Sequence, residues 1–242
     1  MRIGLLECDD VTGRFPHVEG GYREMFAALL PGFEFRYYAS HAGQLPGSPT
    51  ECDAWIATGS KHAVYEGHPW VEQLCGFIRN LKTTPFVGIC FGHQLLAHAL
   101  GGKVAKADQG WGIGVLPMDV LRQEPWMTPP KAQIRLQHSH QDQVQKLPHG
   151  AVLLGRSPHC EIAMYRVGET MLGIEGHPEF TVPFGDALIR SRVDRLGAER
   201  AQAALESLKT PTDAALVGEW IAGFVRARTY NEVSATLKGA LR

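Results

Sequence analysis

Several features that would assign this 242-residue chain to a broad class are missing from it. Its five cysteines (Cys8, Cys52, Cys75, Cys90 and Cys160) are odd in number and contain no Cys-x-x-Cys pair. Neither a disulfide framework nor a zinc ribbon fits that pattern, and reduced thiols are expected. No apolar run approaches the ~18 residues of a membrane span. Met1–Glu7 lacks the apolar region and small-residue cleavage site of a signal peptide, so a cytoplasmic location is expected. An excess of one charge is missing too: 24 Lys and Arg stand against 25 Asp and Glu, for a formal net charge of -1. A general nucleic-acid binder should carry a basic surplus or stripe, so neither nucleic acid nor membrane is an expected partner. There is no internal repeat, low-complexity tract or linker, which favours a single domain over residues 1–242.

What is present suits a packed core, with 44% hydrophobic and 20% charged residues. Short β-rich apolar runs alternate with helical patterns in the first hundred residues, the rhythm of a βαβ sheet. Strands are expected at Arg2–Glu7, Phe33–Tyr38, Ala54–Thr58 and Phe86–Ile89, with helices at Tyr22–Leu30, Trp70–Leu81 and Gly92–Leu100. Further strands are expected at Ile113–Met118, Arg135–His138, Ala151–Arg156, Ile162–Val167 and Met171–Glu175. Helices return at about Pro183–Leu196, Ala198–Leu208 and Asp213–Arg228, where Thr212 or Asp213 suits an N-cap. Trp126-Met127-Thr128-Pro129-Pro130 reads as the exposed loop. The core then spans about 1–190, with a helical tail over about 183–228.

The most informative segment is Phe86-Val87-Gly88-Ile89-Cys90-Phe91-Gly92-His93-Gln94. A buried strand runs into a helix with Cys90 on the turn and a glycine two residues to each side. This is the Gly-x-nucleophile-x-Gly elbow with cysteine as nucleophile. At a helix N-terminus the thiol, normally near pKa ~8.5, is expected to fall toward roughly 3.5–7.5. The backbone N–H of Phe91 is left free to face a developing oxyanion. Read as a small buried hydrophobe, Cys90 would have no such role; the strand-turn-helix context favours chemistry.

A base is offered by Gly173-Ile174-Glu175-Gly176-His177-Pro178-Glu179. His177 lies just past a strand end, where α/β sheets place ligands. Pro178 restrains the backbone around it, and Glu179 can orient the imidazole as third member of a triad. Glu175 is an alternative acidic partner, ranked lower because it falls inside the expected strand. His138-Ser139-His140 is not expected to bind metal. Strand alternation is expected to divide the two imidazoles between faces, and no His-Glu-x-x-His or thiol cluster completes a ligand set. His98 reads as helix surface or satisfied core. Arg190, Arg192, Arg195 and Arg200 read as the solvated face of the tail helices.

Together, residues 88–94 and 176–179 resemble the class I, triad-type glutamine amidotransferases, with the greatest likeness to free-standing proteins similar to the amidotransferase domain of guanosine-monophosphate synthase. Ala57-Thr58-Gly59-Ser60 resembles the family's oxyanion loop, and Gln109–Gly114 and Gln137–Asp142 fall in family order. The resemblance covers residues 1 to about 190. It implies a three-layer α/β/α, flavodoxin-like fold with a mostly parallel central sheet, and no cofactor or metal. It implies that Cys90 forms a γ-glutamyl thioester with glutamine, that His177 carries the proton and that Glu179 orients His177. Gly59 and Phe91 would supply oxyanion N–H groups. Gln94 would face the substrate, and Ser139 and His140 would bind its α-amino and α-carboxylate ends. Three functions remain open. The first is a glutaminase whose ammonia is consumed by a separate synthase partner. The second is a stand-alone γ-glutamyl hydrolase or peptidase, and the third a non-catalytic or redox-sensing protein that keeps the elbow.

Overall fold

The computed structural model describes residues 1–15, 18 and 20–240, with side chains described through residue 227. Eleven strands and seven α-helices follow in chain order among the described residues. They are β1 (Arg2–Leu6), α1 (Tyr22–Leu29), β2 (Glu34–Tyr38), β3 (Ala54–Ala57), α2 (Pro69–Asn80), β4 (Phe86–Ile89), α3 (Phe91–Ala99), β5 (Lys103–Lys106) and β6 (Gly112–Val120). They continue with β7 (Gln133–His140), β8 (Asp142–Lys146), β9 (Ala151–Arg156), β10 (Met164–Val167), β11 (Met171–Ile174), α4 (Val182–Arg190), α5 (Val193–Leu196), α6 (Ala198–Ser207) and α7 (Ala214–Ala240).

Nine strands form one sheet in the order β2-β1-β3-β4-β11-β10-β9-β6-β7, and β5 pairs with β8 in a separate two-stranded sheet. Strands β2, β1, β3, β4 and β11 are mutually parallel, which is the flavodoxin-like order with β11 as fifth strand. The remaining strands extend it antiparallel. Helices cover both faces. Phe26 of α1, Phe184 of α4 and Trp220 of α7 pack on one face with Ile3, Ile56, Val87 and Leu172. Leu74 and Ile78 of α2, with Leu95 of α3, pack on the other with Leu6, Trp55 and Phe86. Successive strand residues alternate between the two clusters because their side chains alternate faces. Trp55 lies over Gly4, where a Cβ would stand 2.1 Å from the indole.

The expected helix at 183–196 is broken: α4 ends at Arg190 and α5 begins at Val193. Thr181 caps α4 by accepting from the Phe184 N–H, and Pro183 sits in its first turn, where its missing donor costs nothing. Asp213 does precede α7, but its carboxylate accepts from the Arg135 N–H and Lys131 Nζ. The segment expected to be exposed at 126–130 is instead partly core. Trp126 and Met127 are buried, Trp126 meets the Phe224 ring edge-on at 5.3 Å, and Trp220 Nε1 donates to Pro129 O at 2.9 Å. The apolar face of α7 needs a cover, and this loop supplies part of it. No helix among the described residues is long and apolar enough to cross a membrane.

Candidate active site

The parallel strands end on one side of the sheet, and the residues that follow β1, β3, β4 and β11 gather there. At the end of β4 the chain turns sharply into α3, with Cys90 at φ 52° and ψ -103°. Among the described residues it is the single non-glycine with positive φ. Both elbow glycines are required by contact. A Cβ at Gly88 would lie 2.2 Å from Gly92 O, and one at Gly92 would lie 2.4 Å from Ala57 O. Such backbone strain persists only where the surroundings enforce it, and it gathers at functional positions.

β11 delivers the other half of the site. The His177 N–H donates to Gln137 O at 2.8 Å, anchoring the residue beside β7. Its ring stacks on Phe180 at 3.8 Å between centroids. His177 Nδ1 and Glu179 Oε1 are 2.8 Å apart, so a carboxylate at Glu179 selects the Nδ1–H tautomer and leaves Nε2 as acceptor. Gly59 makes room for that ring: a Cβ there would stand 2.9 Å from His177 Cε1 and 2.8 Å from Tyr22 Oη.

Cys90 and His177 both line a small cavity of about 20 Å³ that also includes Tyr22, Ser60, Ser139 and Arg192. A larger cleft of about 280 Å³ opens from the same sulfur toward Gln94, Trp111, His140 and Asp142. Cys90, His177, Glu179, Ser139, His140, Gln94, Phe91 and the residue beside Gly59 therefore converge around one point. Gln94 lines the cleft, but its amide nitrogen already donates to Asp142 O at 2.9 Å and Glu175 Oε1 at 2.8 Å.

Several sequence expectations need correcting. Arg192 is not on a solvated face. The break between α4 and α5 turns its side chain inward, where Nη1 donates to Ser139 Oγ at 2.5 Å and the guanidinium lies 5.1 Å from the Trp111 ring centroid. Burial lowers its pKa from the usual arginine range. The break itself, at Ser191-Arg192, carries no glycine or proline to announce it. His138 and His140, two apart on β7, share a face as strand geometry demands, with Nδ1 and Nε2 3.2 Å apart. Burial lowers both imidazoles, His138 to about 3. Cys90 is not a depressed thiol either. Burial raises it, with Glu175 and then Glu179 adding to the effect; the Phe91 N–H and Arg192 oppose it. Desolvation outweighs the helix N-terminus here.

Outside the cleft centre, His62, Glu66 and His68 bring one ligand atom each to within 4.8 Å of one another, a set able to hold a divalent metal. Glu66 Oε2 already lies 3.0 Å from His62 Nδ1 and 2.9 Å from His68 Nε2.

Comparison with known proteins agrees with this arrangement. The family model for glutamine amidotransferase class-I matches residues 50–195, more than half of the chain. γ-Glutamyl peptidase 4 of Arabidopsis thaliana is 33% identical over 172 residues, covering 66% of this chain and 68% of that protein. The amidotransferase relative from Thermococcus kodakarensis, a component of its glutamine-hydrolyzing GMP synthase, is 34% identical over 150 residues, covering 60% of this chain and 79% of that protein. The crystal structure of a glutamine amidotransferase from Thermotoga maritima superposes with a TM-score of 0.72 at 21% identity, covering 94% of this chain and 97% of that one. With a shared fold and a family match that spans both the elbow and the His177 segment, the chain belongs to the class-I glutamine amidotransferases.

Proposed function

We propose that the protein hydrolyses a γ-glutamyl amide bond, with glutamine as the simplest substrate, through a thioester on Cys90. The observation that carries this reading is the cavity shared by Cys90 and His177, with Glu179 Oε1 2.8 Å behind the imidazole. Cys90 Sγ attacks the substrate δ-carbonyl carbon while its proton passes to His177 Nε2. The carbonyl oxygen becomes an oxyanion facing the N–H groups of Phe91 and Gly59; loss of one such donor typically costs ~2.7–4 kcal/mol. The C–N bond then breaks, His177 returns the proton to the departing amine, and water attacks the thioester with His177 again as base. Glu179 holds the imidazole in the required tautomer throughout. Ser139, His140 and Arg192 line the cleft where the glutamyl α-amino and α-carboxylate ends would bind, and Arg192 suits the carboxylate.

The family's ammonia can pass to a separate acceptor enzyme, and glutamine is the first reading on that account. A second reading, a γ-glutamyl peptide substrate, is favoured by the cations on the narrow side of the sulfur. Arg14 and Lys61 lie there 2.8 Å and 3.2 Å from Asp9, alongside Arg192, and all line the small cavity. A leaving amino acid carries a carboxylate that ammonia lacks, and such cations would receive it. The likeness to γ-glutamyl peptidase 4 points the same way. Assaying purified protein on glutamine and on a γ-glutamyl dipeptide, each with Cys90→Ala as control, separates the readings by kcat/KM. Glutamate release from neither substrate would overturn both.

A further inference from the structure

Glu175 is a buried acid that the mechanism above does not use. Its position follows from the sheet. β4 and β11 are adjacent parallel strands with Ile89 opposite Ile174, and the Cys90 N–H donates to Ile174 O at 2.9 Å. The next residue of each strand, Cys90 and Glu175, therefore emerges side by side, and the Cys90 thiol is within hydrogen-bonding reach of the Glu175 carboxyl.

Its surroundings do not provide the usual compensation for a buried carboxylate. The side chain is wholly inaccessible. Oε1 accepts from Gln94 Nε2 at 2.8 Å, while Oε2 has no hydrogen-bond partner. Among the described residues no lysine or arginine pairs with it. From α3, His93 Nε2 stands 3.3 Å from Oε2; from β7, His140 Nδ1 stands 3.6 Å from Oε1 but is closer to Asp142 O, at 3.2 Å. Burial holds both imidazoles uncharged, His93 down to about 3. The other titratable groups facing the acid are Cys160, Tyr165 of β10 and Asp142 of β8, and none of them brings a positive charge. One neutral amide is thus the acid's main support. Burial accordingly raises the Glu175 pKa well above the usual glutamate value.

We propose that Glu175 is a positioning residue that competes with Cys90 for a single negative charge: the first charge acquired by the buried pair rests on Glu175, which keeps Cys90 a thiol, and the sulfur carries it when the proton crosses from sulfur to carboxylate. The step is an internal proton transfer, S–H plus COO⁻ to S⁻ plus COOH. It conserves charge and needs no co-reactant. Two adjacent acids in a dry site cannot both ionise at low cost, so they titrate as a pair. This rests on the reading of Cys90 as nucleophile, but its test does not require turnover.

The test is the pH dependence of Cys90 alkylation by iodoacetamide, followed by mass spectrometry of the peptide that contains it. Glu175→Gln keeps shape and hydrogen bonding but cannot ionise, so the charge can reside only on sulfur. The alkylation midpoint should fall by one pH unit or more in the variant, at least a tenfold gain in thiolate wherever wild-type Cys90 is still protonated. The acid limb of kcat/KM should move to lower pH with it, which a purely structural role would not produce. Glu175→Met serves the same alkylation arm should the amide variant fail to fold. Alkylation profiles that coincide with wild type, or an upward shift, overturn the proposal. Full turnover by Cys90→Ala would overturn the catalytic reading instead, and leaves the alkylation result to be read on its own.

Discussion

Two glutamates flank the nucleophile, four positions apart in the chain and both without exposed side-chain surface, yet their surroundings differ. Glu179 meets the Nδ1 edge of His177, an imidazole that lines a cavity and can take up a proton. Glu175 meets imidazoles held neutral by burial and leans on an amide. Residue type and depth are the same on the two sides. The difference is whether a positive charge can form opposite the acid, and that decides which one supports catalysis and which one competes with the sulfur.

Substitutions test this contrast in descending order of effect. Cys90→Ala removes the group both acids act upon, and hydrolysis of the better substrate should fall by roughly 10⁴-fold or more. Glu179→Gln should cost roughly 10²–10⁴-fold in kcat, because an amide no longer enforces the tautomer or stabilises the imidazolium. Glu175→Gln, the same chemical change on the other flank, should leave far more activity than that. Equal losses at the two positions would break the contrast. Arg192→Leu should raise KM on the order of tenfold with a smaller effect on kcat, since the charge serves binding in both ground and transition states.

The smallest expected effects are on stability. Glu175 has a raised folded pKa, so the native state binds more protons than the unfolded chain above the ordinary glutamate range, and stability is lost as pH rises from there. Glu175→Gln removes that loss, and its Tm should exceed wild type by about 2–4 °C at neutral pH, with the margin closing toward acid. His93 works in the opposite sense. Its pKa falls from 6.5 to about 3, so its share of stability is complete above 6.5 and disappears as pH drops toward 3. Tm measured against pH in both proteins separates the two slopes.

The elbow is legible in the sequence because its constraints are local: strand, turn, helix and two contact glycines lie within a few residues of one another. The parallel strands are legible because their apolar runs are nearly continuous, and the His177-Glu179 contact because it spans two residues. Arg192 is not, because its inward turn depends on a helix break with no sequence marker. Trp126 and Met127 read as exposed because only the distant α7 covers them. Strands β5 and β8, Lys103–Lys106 and Asp142–Lys146, are hidden because their charged residues dilute the alternation that marks a strand. Glu175 reads as a strand residue, whereas the strand ends one position earlier and aligns it with Cys90.

The dihedral angles of Cys90 imply a conflict between robustness and reactivity at this one position. A φ of 52° with ψ at -103° is a conformation that glycine tolerates and other residues resist by about 1–3 kcal/mol. A descendant of this protein that had abandoned chemistry would gain toughness by exchanging the sulfur-bearing side chain for a hydrogen atom. That cysteine is retained in so costly a bend means the fold gives up some resilience to keep the thiol aimed at its target.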